Sequence, residues 1–380
     1  MLYGFAALTV TLLLLTLLPL SRIKHWLVRA LDFPRLQLAI FGALLLLLQF
    51  VLLDSSQFVS QLMMLLTGAS LLLQLWWIWP YTRLHRREVP QSNIAADNAQ
   101  AITVMTANVL MTNRNADKLT GLIKQYQPDV FVTLESDLWW QQQLEQLSSA
   151  YPYSIKCPLD NLYGMHVYSR LALHHAAIQF LVEADIPSMH TEVELRSGQR
   201  LVMHFVHPAP PSPTENASSA PRDAELLVLA ASVAKSQRPL IVTGDLNDVA
   251  WSETTRLFRK VSGLLDPRIG RGMYNSFHAH YPGIRWPLDH LFHSKHFSVQ
   301  QIKRLPDIGS DHFPLLMTLY LEGETSAEQT VTLEAEDRQR VANELAEQAL
   351  TPEQVHQPQK IADNAAVVYQ PAAIIIRRFY

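Results

Sequence analysis

The sequence predicts an α/β sandwich of two sheets with helices outside, preceded by three transmembrane helices. Three observations predict it. Charged residues make up 17% of the 380, yet residues 1–80 hold only six of them. That same region contains three long uncharged runs in succession. From Ala101 the pattern switches to short β-rich runs that alternate with amphipathic stretches, several strands being consecutive.

The first run, residues 1–20, is Leu-rich and uncharged. The second, 36–53, is interrupted only by Gln37 and Gln49, and the third, 58–79, is again uncharged. A bilayer core of about 30 Å needs about 20 apolar residues, whereas buried core helices usually show about 10–14. No basic segment precedes the first run and no small-residue cleavage site follows it, so it reads as a span and not a leader. Trp76, Trp77, Trp79 and Tyr81 stand where an interfacial aromatic belt belongs. Arg22, Lys24, Arg29 and Arg35 lie between the first two runs, no basic residue lies in 54–57, and Arg83, Arg86 and Arg87 follow the third. With three spans the two basic segments share a side. The positive-inside rule then places the rest of the chain in the cytoplasm, anchored to the inner or plasma membrane through residues 1–80.

Residues 81–100 read as a linker, since 88–100 have Pro, Ser, Asn and Asp but no apolar period. A domain over 101–321 follows. Strands are predicted at 102–109, 129–135, 240–244, 288–292, 298–302 and 314–321, with an antiparallel run at 164–169, 176–182, 191–195 and 201–207. Helices are predicted at 117–126, 222–235 and 252–260. The tail 322–380 has ten acidic and five basic residues and no aromatic before Tyr369. It reads as partly disordered, with a charged helix over 334–350. Its apolar and basic end, 372–380, reads as a frayed terminus. A single cysteine, Cys157, excludes an internal disulfide framework.

Polar residues of ligand type stand at the ends of apolar runs: Asn108, Glu135, His207, and the pair Asp245 and Asn247. Such groups cannot sit inside buried strands without a penalty, and at strand ends they converge on one rim. Asp289-His290 and Ser310-Asp311-His312 add two later elements. Each alone is weak, because Gly-Asp-Leu-Asn also makes an ordinary turn and Ser-Asp-His also caps an element.

The ordered set Asn, Glu, His, Asp-x-Asn, Asp, Ser-Asp-His resembles the endonuclease/exonuclease/phosphatase superfamily, over about residues 101–321. The resemblance implies a four-layer αββα sandwich of two mixed sheets and a metal-dependent phosphoric ester hydrolase. It implies Glu135 as main ligand of Mg²⁺, or alternatively Mn²⁺, supported by Asn108 and Asp311; oxygen donors suit such cations. It implies Asp245 as general base, with Asn247 on the phosphoryl oxygens or the attacking water. His312, oriented by Asp289, and His207 would contact the phosphate. Metal, base and fixed donors together are what phosphoester hydrolysis at neutral pH requires.

Substrate is less defined. Leu110 stands where the abasic-site nucleases carry a further Asp. Residues 101–321 hold 19 basic and 20 acidic side chains, without the basic footprint of a duplex binder. Arg256, Arg259 and Lys260 read as one face of a solvated helix. These features, with a membrane tether, lean to a lipid or small phosphoester over nucleic acid; an inactive scaffold is the alternative of another class. Arg285 and Trp286, just before Asp289, and Asn113 are candidate substrate contacts. His278, His280, His293 and His296 lack zinc-ligand companions. No protein partner is indicated.

Overall fold

The computed structural model describes residues 1–323 and 333–357. Helices α1 (Leu2–Leu17), α3 (Arg35–Leu52) and α4 (Phe58–Ile78) form a bundle, with a short helix α2 (Trp26–Arg29) in the first connection. The stretches Leu2–Leu20, Arg35–Leu52 and Phe58–Tyr81 are long and apolar enough to cross a membrane. Their packing is inverted relative to a water-soluble bundle. Leu44, Leu47, Phe50, Leu65 and Leu72 are exposed, while Gln49 donates to Thr9 at 2.8 Å and Gln74 to Thr16 at 3.0 Å in the interior. Polar side chains that face inward and pair with one another are what hydrocarbon surroundings favour.

The domain strands are β1 (Ala101–Asn108), β2 (Val130–Leu134), β3 (Tyr153–Cys157), β4 (Met165–Ser169), β5 (Leu173–Gln179), β6 (Ser188–Glu194), β7 (Arg200–Phe205), β8 (Leu240–Asp245), β9 (Asp289–His293), β10 (Phe297–Arg304) and β11 (Leu315–Leu321). One sheet has the order β10-β11-β1-β2-β4-β3, the other β5-β6-β7-β8-β9. Each contains a parallel pair joined by a helical crossover: β1 and β2 through α5 (Ala116–Tyr126), β7 and β8 through α7 (Ala220–Val233). Crevices outside the carboxyl ends of such strands are where ligands bind in α/β sheets.

Both faces of β1 are covered, so its sequence runs apolar without alternation. Ile102 and Val104 join the core between the sheets with Met203 and Ile241. Met105 and Ala107 pack under α5 and α6 (Leu138–Leu144). On the opposite side, Leu226 of α7, Phe258 of α8 (Glu253–Ser262) and Val341 of α9 (Ala335–Glu347) cover the second sheet. The result is four layers, αββα. Thr106 and Thr243 share a hydrogen bond of 2.7 Å across the two sheets.

Several elements differ from expectation. The strand run over 164–207 divides: β4 joins the first sheet between β2 and β3, and only β5, β6 and β7 are antiparallel neighbours in the second. β3 and α6 are not among the predicted elements. Part of the predicted linker is docked. Tyr81 donates to the Ala250 carbonyl at 2.6 Å, Val89 is buried, and Ser92 N–H donates to Val299 O at 2.8 Å. Of Arg256, Arg259 and Lys260, read as one solvated face, only Arg256 is exposed. Arg256 lies 4.4 Å over the Trp77 ring, Arg259 pairs with buried Glu88, and Lys260 pairs with Asp337 at 3.2 Å. The helix predicted in the tail is α9, but the predicted terminus 372–380 lies outside the described residues.

The loop after α1 is part of the domain surface. Trp26 N–H donates to Ala217 O at 3.0 Å and Ser219 N–H to Lys24 O at 2.8 Å. Trp251 Nε1 donates to Asp32 O at 2.8 Å.

Candidate active site

Asn108, Glu135 and Asp245 meet where β1, β2 and β8 end. The register sets Asp245 opposite Asp289. Asn108 Nδ2 donates to Glu135 Oε1 at 2.7 Å and to Asp245 Oδ2 at 3.2 Å, so one amide ties the ends of both sheets. Glu135 and Asn247 have φ of 55° and 50°, a left-handed conformation uncommon for non-glycine residues and concentrated at functional sites. Gly244 has no alternative. A Cβ there would come within 1.8 Å of Val206 O, so only glycine lets β8 approach that backbone just before Asp245.

Around them runs a chain of charge. His312 Nδ1 lies 2.8 Å from Asp289 Oδ2, and His312 Nε2 lies 3.4 Å from Asp245 Oδ2. Burial would lower the imidazole pKa, but the Asp289 and Asp245 carboxylates outweigh it and hold the group at about 10. His312 is therefore an imidazolium. Burial would raise Asp245; the charge of His312 and the hydrogen bonds from Asn247 and Asn108 overcome it and hold the carboxyl below its usual range. Burial lifts Asp289, and lifts Glu135 to about 7 against the Asn108 amide. Burial lowers His207 to about 4, leaving it neutral, with its ring 5.4 Å from that of Tyr163. Ser310 fixes the last turn: its hydroxyl donates to Asn108 O at 2.8 Å and accepts from His312 N–H at 3.0 Å. Asp311 stands close enough for its charge to act on Glu135 and His312. Asn247 donates from its side chain to Pro208 O at 3.0 Å and from its N–H to Asp245 Oδ1 at 2.9 Å.

The three candidate substrate contacts are placed differently. Asn113 is buried and donates to Val109 O and Ile308 O at 3.0 and 3.2 Å. It ties two loops together. The Arg285 guanidinium is braced on its own loop, donating to Ala279 O at 2.9 Å and lying 5.0 Å over Phe313. Trp286 stacks on Phe277 at 6.1 Å, and Phe277 in turn lies 4.9 Å from the His312 ring. Trp286 thus forms a wall behind Phe277, which the sequence reading does not single out.

Two further supports were not legible. Ser276 Oγ accepts from the N–H of Asp289 at 3.1 Å. Arg268, fully buried, clasps Asp266 at 2.9 and 2.8 Å and donates to Asp289 O at 3.2 Å. A buried arginine carries no signal in the sequence that separates it from a surface one.

One oxygen or nitrogen from each of Asp245, Asp289 and His312 lies within 4.8 Å of the others, a spacing that a metal ion would suit. The imidazole also faces a carboxylate from each nitrogen, which favours its charged form. The set the family resemblance implies is Glu135, Asn108 and Asp311, whose oxygens would suit a divalent cation; here Asn108 turns its NH2 to Glu135 and its Oδ1 to the Leu110 N–H. Asp289 Oδ1 and His207 Nδ1 are buried without a hydrogen-bond partner, so the rim is incomplete without a polar guest.

Residues 105–312 match a family model described as Endonuclease/Exonuclease/phosphatase family. The chain belongs to that family. Its members are typically hydrolases acting on phosphoesters, and its enzymes use divalent metals. No curated protein sequence matches the chain. Among solved structures, a family member from Beutenbergia cavernae superposes with a TM-score of 0.51 at 17% identity, covering 63% of this chain and 76% of that one. That likeness shows the fold. The human Nocturnin catalytic domain with bound sulfate anion gives 0.48 at 19% identity, covering 59% of this chain and 96% of its own. D. rerio TDP2 complexed with a single-strand DNA product gives 0.48 at 17%, covering 58% and 98%.

Proposed function

We propose that the chain is a membrane-anchored, Mg²⁺-dependent phosphoesterase that hydrolyses a phosphodiester or phosphomonoester presented at the bilayer surface. The observation that carries the reading is the Asp289–His312–Asp245 chain set beside the Glu135–Asn108 pair. A cation held by Glu135, Asn108 and Asp311 would neutralise charge developing on the phosphoryl oxygens; Mn²⁺ suits the same donors. Asp245 accepts the proton of the attacking water while the water oxygen bonds to phosphorus and the bond from phosphorus to the leaving oxygen breaks on the opposite side, the departing alkoxide taking a proton from solvent. His312 donates a charged hydrogen bond to a phosphoryl oxygen, and Asp289 fixes its orientation. Neutral His207 donates from the opposite side, and Asn247 holds the water or the phosphoryl group. Every residue type the chemistry needs is retained, which favours an enzyme over an inactive scaffold.

A lipid or other small membrane-borne phosphoester is favoured by where the rim lies. Gln37, in the first turn of α3, donates to Gly283 O at 3.0 Å. Phe33 meets Trp286 edge-on at 5.5 Å, and Tyr281 and Ile284 of the same loop are exposed. The loop that walls the site therefore touches the mouth of a spanning helix. The inverted polarity of the bundle supports the anchoring.

The test uses the full chain in lipid nanodiscs with Mg²⁺, assayed on phospholipid-phosphoester vesicles and on supercoiled plasmid. Phosphate or head-group release is expected to exceed plasmid nicking, and chelation to abolish both. Preferred nicking would replace this reading with a membrane-tethered nuclease acting on nucleic acid; no turnover of either would favour the scaffold.

We further propose that the domain faces the cytoplasm, on the strength of the basic residues flanking spans one and three. A phosphatase reporter fused after Arg87 is expected to be inactive and a cytoplasmic reporter active at the same point. The reverse pattern overturns the orientation.

A further inference from the structure

A cleft of about 890 Å³ lies between the end of the third span and the domain, and no residue of the candidate active site lines it. Its walls divide by chemistry. Trp76, Trp77 and Trp79 supply aromatic surface, and Arg86, Arg87 and Arg256 supply positive charge. Arg259 at its edge is paired with Glu88. Arg86, Arg87 and Arg256, by contrast, have no carboxylate within ion-pair distance among the described residues. Arg256 lies 4.4 Å over the Trp77 indole, which also carries Arg35 at 4.5 Å. Arg35 is neutralised by Asp32 at 2.6 Å, but Arg256 has no such partner. Unpaired cations gathered in one cleft repel one another, and an anion relieves that repulsion.

Position narrows the class of anion. The stretch Phe58–Tyr81 ends at this cleft, and Trp76 on its flank is 72% exposed. The aromatic wall thus continues the apolar face of the helix, and the arginines lie just beyond its end. A soluble phosphate would use the arginines and leave the tryptophans bare. An amphiphile with an anionic head and an acyl tail uses both, as interfacial tryptophan and arginine do elsewhere. We propose that this cleft is a binding site for an anionic phospholipid of the surrounding bilayer, its phosphate on Arg256, Arg87 and Arg86 and its chain along Trp76 and Trp79. The proposal rests on the reading that the helices span a membrane. Tyr81 and Trp251 join the cleft to the loop that follows Asp245, so an occupied site also braces the domain against the third span.

Full-length chain in detergent is titrated with phosphatidylglycerol, with phosphatidylcholine and with glycerol 3-phosphate, reading melting temperature and lipid retained in native mass spectrometry. Phosphatidylglycerol is expected to raise the melting temperature and to be retained about tenfold more strongly than phosphatidylcholine, as charged guanidinium–phosphate bonds imply. The double variant Arg87→Gln/Arg256→Gln should bring both lipids to the same level. Equal retention of the two lipids by the wild type, or a variant that behaves as wild type, overturns the site. An equal effect from glycerol 3-phosphate overturns the lipid as its occupant. Should the variant not fold, brominated lipids in wild-type nanodiscs decide: brominated phosphatidylglycerol should quench tryptophan fluorescence beyond its mole fraction, and quenching no greater than by brominated phosphatidylcholine sinks the proposal. Release of the chain from membranes by alkaline carbonate would instead undo the anchoring reading. A carbonate-resistant chain without lipid preference undoes only this one.

Discussion

Replacing Asp245 by Asn is expected to lower kcat/KM by about 10²-fold or more, the usual loss when a general base is removed. The substitution keeps the shape of the side chain but only one acceptor oxygen, so it can accept from the Asn247 N–H or from the Asn108 amide and not from both. What it removes is the charge that His312 holds ionised in a buried setting. Glu135→Gln is expected to lose a similar factor, and its loss should shrink as the cation concentration rises, because the residue's part is to bind the metal. Asp245→Asn should show no such rescue. Measuring both kcat/KM values across a Mg²⁺ series separates the two roles, and melting temperatures exclude a global effect. Wild-type activity in both variants would remove this rim from the chemistry.

The second large effect is acid destabilisation. His166, His190, His204, His207, His290 and His293 are buried, and burial holds each below its ordinary 6.5: to about 4 for His166, His207 and His293, to about 3 for His204 and His290. His190, hydrogen-bonded to His204 at 2.6 Å, is likewise held well below it by burial. Unfolded, all six bind protons near pH 6.5; folded, they do not. Their stabilisation is complete above 6.5 and is lost as pH falls toward 4. His312 has the opposite sign, since its stabilisation is complete below 6.5 and is lost only as pH rises through about 10. The raised carboxyls of Asp32, Glu135 and Glu225, at about 6, 7 and 8, offset part of the change. About two to three net protons remain, on the order of 5 kcal/mol between pH 6.5 and 5. The melting temperature of the full chain in detergent should fall by roughly 10 °C over that interval. A flat profile would mean these imidazoles are solvated.

The site was legible where hydrophobicity stops abruptly. Asn108, Glu135 and Asp245 each follow an uninterrupted apolar strand, and a polar group at that point has few structural excuses. Joining His312 to Asp289, by contrast, needed the family pattern, because nothing local links a turn to a strand start 23 residues before it. Phe277 and Arg268 stayed hidden for another reason: an aromatic wall and a buried clasp look in sequence like any core or surface residue. The fold shows the same division. Strands covered on both faces announce themselves by apolar runs, whereas β3 is short and partly exposed. The docking of the first loop was invisible, since pairing of Trp26 and Lys24 with residues 217–219 runs through backbone groups that every residue possesses. Val89 was masked by its polar neighbours, one buried side chain in a stretch that otherwise reads as a tether.

The contacts of Phe33 with Trp286, Gln37 with Gly283 and the Asp32 carbonyl with Trp251 bear on how this protein is to be handled. A fragment cut after the third helix would keep every residue of the candidate rim and still be a different catalyst. It would bare two indoles, free the loop that walls the pocket, and leave the backbone of 217–219 without its partner. With the helices in a bilayer and a lipid as substrate, as proposed, the pocket would meet that substrate by lateral diffusion in a plane. Kinetics taken on the excised domain would describe a pocket whose supporting loop has lost its contacts with residues 33 and 37.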